Sequence, residues 1–467
     1  MTGCSTIDST GRICMIRRNP IHMIHLSKPL HPRFILLGLA VLMVSPGGAL
    51  AENWPQWRGP LFNGSTTESN LPVEFSVSDK MVWSAPLPGP SAGTTVVWGD
   101  RVFVAAVDKT AKEVLALGLD AGSGRELWRH TLSRDRNTAG SNDMGSPSPV
   151  TDGGRVWFLT GNGVLAGFTK DGVELWRRDL GKDYGTFVIQ FGYSSSPLLF
   201  DGKLYVLALQ NADPHKGGLN PQLSGPLDSY LLALDPATGA TLWKHVRTTD
   251  ATDQSREAYN TPYPLVWKGR REIVLAGGEC VTGHDPATGT ELWRWWFTPP
   301  DREKLQHVVP TPVAEDGLMY VVRPEHRPLF ALRAGGNGTL AKDAVAWTFE
   351  PNQSWIASPL VYQGRLYVLQ EKQRSLVCLD PQTGRVIWDH KLPAKASLQA
   401  SPTGADGKIY LLSMTGEVIV LAAGDEYREL ACNHLEESQC RSTIVAANGR
   451  LFVRGEKQLY CFANPRR

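Results

Sequence analysis

The eleven residues from Ala233 to Trp243 read ALDPATGATLW. Leu231 to Leu234 is a short apolar strand, and Asp235-Pro-Ala-Thr-Gly239 is a tight turn. Asp accepts hydrogen bonds from amides just ahead of it, Pro fixes φ, and Gly takes φ > 0 without steric cost. The strand after the turn carries Trp243 at a fixed offset from Gly239. A Trp in that place wedges between neighbouring sheets, and truncating a buried one costs about 3–5 kcal/mol.

The same strand recurs along the chain, at Trp83 (VWSAPL), Trp128 (RELWRHTL), Trp176 (VELWRRDL), Trp293 (TELWRWWF), Trp347 (AVAWTFE) and Trp388 (RVIWDHKL). An eighth copy, YRELACNHL, puts Leu430 in the Trp position, and the successive spacings are 45, 48, 67, 50, 54, 41 and 42 residues. The turns DAGSG, TKDG, DPATG and DPQTG precede Trp128, Trp176, Trp293 and Trp388, whereas the turn before Trp347 (RAGGNG) is degenerate. Upstream of each turn lie small polar residues, often Ser-Pro, then strand, Gly turn and strand: SPSPVTDGGRVWFL, SSPLLFDGKLYVL and SPLVYQGRLYVL are examples. Four strands per repeat of about 40–45 residues make propeller blades. The chain ends on three strands (STIVAANGRLFVRGEKQLYCFA) and begins on a lone Trp strand. The expected fold is therefore an all-β, eight-bladed β-propeller whose N-terminal strand completes the last blade, leaving no open edge. Trp83, Trp128, Trp176, Trp243, Trp293, Trp347 and Trp388, with Asp235 and Gly239, form the expected structural docking set.

Composition agrees: of 467 residues, 42% are hydrophobic, with 46 Gly and 32 Pro, which speaks against disorder. The apolar run FILLGLAVLMV (Phe34–Val44) follows Lys28 and Arg33 and ends in small residues near Ala49-Leu50-Ala51. That is a signal-peptide layout, too short for a membrane span. Residues 1–51 are read as the leader, with Met23 as an alternative start, and residues 52–467 as one propeller domain, soluble and exported to a periplasmic or extracellular space. Residues 52–467 hold 43 basic and 45 acidic side chains, a net of −2, which speaks against nucleic acid as a partner. Five cysteines remain there, an odd number. Cys378 and Cys461 sit in apolar strands, and Cys432 and Cys440 flank a short loop where a disulfide stays open.

The A-x-D-x-x-T-G-x-x-x-W pattern, cleanest at Ala233/Asp235/Gly239/Trp243 and good at Asp285/Gly289/Trp293 and Asp380/Gly384/Trp388, resembles the tryptophan-docking repeat of PQQ-type eight-bladed propellers. The resemblance covers residues 80 to 463, and Trp54-Pro-Gln-Trp-Arg-Gly-Pro60 is similar to the opening of exported bacterial members. Catalytic quinoprotein alcohol dehydrogenases and the non-catalytic BamB-type assembly factor share the repeat, so it implies fold rather than chemistry. Where the family holds a quinone it uses calcium ligands, a stacking Trp, an Asp base and, in several members, adjacent cysteines. Asn142, Asp143, Glu257, Asn260 and Asp301 carry suitable oxygens and Trp355 a ring, yet no short motif gathers them. The chain has no Cys-Cys pair and no Cys-x-x-Cys-His haem site.

Strand order fixes the faces. The loops leading into each blade and those joining strands two and three share one face, here the mouth face; the Asp-Pro-x-Thr-Gly turns lie on the other. The longest connections, 181–193, 211–228, 247–260, 298–308 and 324–328, all fall on the mouth face, where long loops mark a binding surface. Asn142, Asp143, Tyr193, Ser195, Tyr259, Asn260, His307, Trp355 and Gln399 precede the small-polar strands and are the candidates to ring a central funnel. Trp54 and Trp57 are expected to seal the outside or underside of the ring. The functional expectation is a monomeric, non-catalytic binding or scaffold propeller with a protein or peptide partner, no nucleic acid and no cofactor. The alternative is a quinoprotein oxidoreductase using PQQ and calcium; a third reading, carbohydrate binding, would use Tyr193, Tyr259 and Trp355.

Overall fold

The computed structural model describes residues 52–134, 142–211, 226–297, 306–323, 328–350 and 354–465. The leader read for residues 1–51, Asp301, and most of the loops at 211–228, 298–308 and 324–328 lie outside them.

Apart from the closing strand of the last sheet and one inserted strand, strands pair with their sequence neighbours, so the chain lays down one antiparallel sheet after another. Val96–Trp98, Arg101–Asp108, Glu113–Asp120 and Glu126–Arg134 make blade 1, and six further sheets follow in the same order. The last sheet, blade 8, has Val445–Ala447, Arg450–Arg454 and Gln458–Phe462, and its fourth strand is Met81–Pro86, with Trp83 opposite Cys461 and Ala85 opposite Leu459. The eight-bladed closure read from the two ends of the chain is what the sheets show. First strands of successive blades touch and therefore ring the axis. The apolar cores lie between blades; one joins Tyr205 and Leu207 of blade 3 to Ile273 and Leu275 of blade 4 and Met319 of blade 5.

The turn chemistry works as its residues dictate. Asp235 Oδ1 accepts from the amides of Ala237 (2.7 Å) and Thr238 (2.9 Å), and the Gly239 amide closes on the Asp235 carbonyl (2.8 Å). Gly239 has φ +71°, and a Cβ on it would come within 2.6 Å of the Trp176 ring of the preceding blade. Gly124, Gly172, Gly289 and Gly384 meet Trp83, Trp128, Trp243 and Trp347 in the same way. The indole N–H groups of Trp83, Trp128, Trp176, Trp347 and Trp388 donate to carbonyls of the next blade's turn, at Ala121, Lys170, Pro236, Pro381 and Gly424, over 3.0–3.1 Å. Trp243, in the cleanest copy of the motif, leaves its Nε1 unpaired among the described residues. The corresponding carbonyl, Pro286, takes the Tyr205 hydroxyl at 3.1 Å instead.

Two copies depart from the pattern, each for a physical reason. Trp293 is buried and donates to Glu272 Oε2 at 2.5 Å within its own blade. The degenerate turn of blade 5 offers it no dock, and the insertion Gly338–Thr339 pairs in parallel along Trp293–Arg294 as a fifth strand. The second departure corrects the register read for YRELACNHL. In each blade the fourth strand bulges by one residue beside the docking position, which re-aims the side chains around it. In blade 3 Trp243 pairs with Ala233 and Leu242 is the extra residue; in blade 7 Ala431 pairs with Val420 and Leu430 is the extra residue. The Trp position of blade 7 is thus Ala431, not Leu430. Blade 8 has no turn for a Trp to meet, because the chain is split there. The N-terminal segment supplies the wedge: Phe75 is buried against Phe462 (centroids 4.5 Å), its amide donates to Asn433 Oδ1 (2.8 Å), and the Tyr410 hydroxyl donates to the Pro72 carbonyl (3.1 Å).

All five cysteines among the described residues are unpaired; Cys440 is buried and Cys432 half-buried, in different apolar clusters. No helix among the described residues is long and apolar enough to cross a membrane.

Candidate functional site

A cavity of about 320 Å³ opens on the axis, lined by the segments that lead into all eight blades. Its waist is a belt of hydroxyls. The amide of Thr94 donates to Ser148 Oγ (2.8 Å), Ser148 to Ser196 (2.9 Å), Ser196 to Thr261 (3.1 Å), Thr261 to Thr311 (3.1 Å), Thr311 to Ser358 (2.9 Å) and Ser358 to Ser401 (3.0 Å). From Ser148 onward each belt residue stands directly before a Pro. The Ser-Pro pattern of the repeats is therefore a blade-to-blade hydrogen-bond relay: the hydroxyl satisfies a buried amide of the previous blade, which would cost about 1–3 kcal/mol if left bare.

The floor comes from the N-terminal segment. Trp54 is fully buried and pairs with Val97 through both backbone groups. Trp57 does not seal the outside of the ring; it enters the channel, lines the cavity and donates Nε1 to Thr311 Oγ1 at 3.2 Å. Arg58, 1% exposed, fixes it from below by donating to the carbonyls of Asn63 (2.9 Å), Pro359 (2.7 Å) and Pro402 (3.1 Å). Burial lowers the Arg58 guanidinium to about 9.

Asn142, Tyr259, His307, Trp355 and Gln399 line the cavity. Asp143, Tyr193, Ser195 and Asn260 are not among its lining. The Tyr193 hydroxyl donates to the Leu207 carbonyl (2.8 Å) inside a blade core, and Asn260 Nδ2 donates to the Ala276 carbonyl (2.8 Å). The reason is parity: side chains of an extended segment alternate in direction, so Ser194, Ser196 and Thr261 face the axis where their neighbours face the blades. Trp57, Phe191 and Arg441 also line it and escaped the sequence reading.

One wall is aromatic. His307 sits 5.3 Å from Phe191, 5.1 Å edge-on to Tyr259 and 6.3 Å from Trp355 in a stacked pose. Burial lowers its pKa to about 4, so the imidazole is neutral at pH 7. Two buried carboxylates hold this wall without facing the cavity. Glu257 accepts the Tyr259 hydroxyl (2.9 Å) and the Gln190 amide (3.1 Å). Glu371, 3% exposed, accepts the amides of Ile356 and Ala357 (both 2.7 Å) and of Trp355 (3.0 Å to its second oxygen), clamping the loop that presents Trp355 and Ile356.

Calcium asks for several oxygen ligands, mostly carboxylates. No described lining residue carries a carboxylate, Glu257 is consumed as above, and the described residues hold no cluster of three His, Cys, Asp or Glu able to bind a metal. The described donor set does not fit the calcium-quinone pair.

Eight four-stranded blades around an axial cavity, seven of them with a tryptophan at the docking position, define a PQQ-repeat propeller. The chain matches the family described as outer membrane protein assembly factor BamB over residues 65–213, 112–342 and 338–428, and it belongs to that family. It is 30% identical over 183 residues to a quinohemoprotein alcohol dehydrogenase of Comamonas testosteroni, which is 36% of this chain but 24% of that one; the chain spans about a quarter of that relative's length. Among solved structures, BamB from Moraxella catarrhalis superposes with a TM-score of 0.57 at 15% identity, covering 82% of this chain and 99% of that one. A europium-containing methanol dehydrogenase superposes at 0.64 with 10% identity, covering 88% and 98%. At these identities the solved structures establish the fold alone.

Proposed function

We propose that this propeller is an exported, non-catalytic binding module that seats a protein or peptide partner on its mouth face and in its axial cavity. The observation that carries the reading is the cavity itself: walled by the hydroxyl belt, lined by His307, Trp355, Tyr259 and Phe191, and floored by Trp57. A stiff ring with preset side chains loses little ordering entropy on binding. The name of the matched family supports the same reading. Crosslinking pull-down from the producing cell tests it. Wild type is expected to recover a specific partner, and Trp355→Ala to recover several-fold less; equal recovery by both counts against the cavity as the seat.

The names of the dehydrogenase relatives keep a second reading in view, a PQQ- and calcium-dependent oxidoreductase. Titrating the purified protein with both is expected to give no quinone absorbance change and no dye-linked alcohol oxidation. Saturable binding with turnover would replace the first reading with this one.

A further inference from the structure

The segments that line the cavity enter from the mouth face and run inward to their first strands, so position along a segment sets depth. Phe191, Tyr259, His307 and Trp355 stand two to five residues ahead of Ser196, Thr261, Thr311 and Ser358, the belt residues of the same segments. The aromatic wall is therefore the outer level and the hydroxyl belt the inner one. Trp57, bonded to Thr311 Oγ1 (3.2 Å), and Arg58 close the channel at the belt. The six belt hydroxyls share one hydrogen-bonding state. Each accepts a backbone amide of the preceding blade, and among the described residues none gives its own hydrogen to a protein group. The outer level thus offers ring faces and the inner level offers hydroxyl hydrogens.

That order of levels selects an occupant. A cavity of about 320 Å³, closed below, takes one large side chain rather than a folded segment. No described lining residue carries a carboxylate, so the tip of a Lys or Arg would find no counter-charge at the belt. A Phe ring would suit the wall, but it would exclude water from the hydroxyls and return no hydrogen bond. Tyr carries an apolar ring with, at its far end, an oxygen that both accepts and donates. We propose, resting on the partner reading above, that the cavity is the socket for a tyrosine side chain presented by the protein partner. The ring packs against His307 and Trp355, and the phenol oxygen accepts from the belt. Tyr is also among the residues that most often anchor an interface from within a pocket.

Calorimetric titration of the intact protein with N-acetyl-tyrosinamide and N-acetyl-phenylalaninamide tests this, because the two probes differ by the phenol oxygen alone. The tyrosine probe is expected to bind saturably and the phenylalanine probe about tenfold more weakly, the worth of one hydrogen bond. His307→Ala is expected to weaken the tyrosine probe several-fold while leaving the melting midpoint near wild type; Trp355→Ala is the second variant and is expected to do the same. Equal binding of the two probes by the wild-type protein overturns the tyrosine socket and leaves the wider partner reading standing. Binding that neither variant weakens places the probe elsewhere and overturns it too. No binding of either probe in the tens of millimolar also overturns it, and the pull-down then judges the partner reading separately. Because the probes are compared on the wild-type protein, the test survives any folding defect in a variant.

Discussion

Trp243 and Ala431 hold the same position in their blades, and the difference between them shows what a docking side chain is for. A Trp has value only where the next blade offers a turn glycine and a turn carbonyl. Gly289, at φ +76° and so close that a Cβ on it would come within 2.5 Å of the Trp243 ring, is such a partner. Blade 8, whose third and fourth strands come from opposite chain ends, offers none, and Phe75 closes the seam from the N-terminal segment. Trp243→Ala is therefore expected to destabilise by about 3 kcal/mol and Phe75→Ala by a comparable amount, while Leu430→Ala, at the bulged residue, costs less than about half of that. Urea midpoints for the three variants check the order. A Leu430→Ala loss equal to that of Trp243→Ala would return Leu430 to the docking role. The correct register was present in the chain as the match of Arg125-Glu-Leu-Trp128 to Arg428-Glu-Leu-Ala431; aligning on bulk apolarity instead of on the Arg-Glu-Leu triplet shifts it by one.

At the level of single elements, the loop from Ser354 to Ala357 shows how the cavity wall is fixed. Its amides converge on one buried carboxylate, Glu371, in the turn that follows the second strand of the same blade. Glu371→Ala should free those amides while leaving the neighbouring belt bonds at Thr311 and Ser358 in place. Hydrogen exchange is expected to quicken by about one to two orders of magnitude at Trp355, Ile356 and Ala357, since hydrogen bonds to charged groups are worth about 1.5–3 kcal/mol; unchanged protection there would remove Glu371 from the clamp. The sequence made the blades legible because their signals are local: turn residues, alternation, and a Trp at constant offset. It made the cavity only partly legible, because lining depends on parity within short extended segments. Asn142, Tyr259, His307, Trp355 and Gln399 fell on the axial side and Tyr193, Ser195 and Asn260 on the other. The Ser/Thr before each Pro was the usable marker of the axial side. Trp57 had no local marker, because it reaches the channel from a segment about 250 residues away from its partner Thr311.

For the molecule as a whole, burial of titratable groups between the blades sets how stability responds to acid. His284 is fully buried, bonded to the Gly289 carbonyl (3.1 Å) and the Thr282 hydroxyl (2.9 Å), and burial lowers its pKa to about 3; His307 is lowered to about 4. Both bind a proton less readily in the folded state than in the unfolded chain, where the value is near 6.5. Their contribution is therefore complete above pH 6.5 and is lost as pH falls from there towards 4. Asp143, Glu257, Glu272 and Glu371 are raised by burial and act in the opposite sense. The folded state holds their protons more tightly, so their contribution is present at low pH and is lost as pH rises through the raised values. The two sets oppose each other in the same acid window, so the wild-type curve alone cannot separate them, whereas a variant can. His284→Gln removes one histidine and leaves every carboxyl in place. Its stability deficit relative to wild type is expected to be largest at pH 7 and to shrink by roughly 1.4 kcal/mol for each pH unit between 6 and 4, the linkage slope for one proton. Urea unfolding of both proteins at pH 7, 6, 5 and 4 measures that difference directly, and a constant deficit across the series would mean that His284 binds its proton as readily in the folded ring as in the unfolded chain.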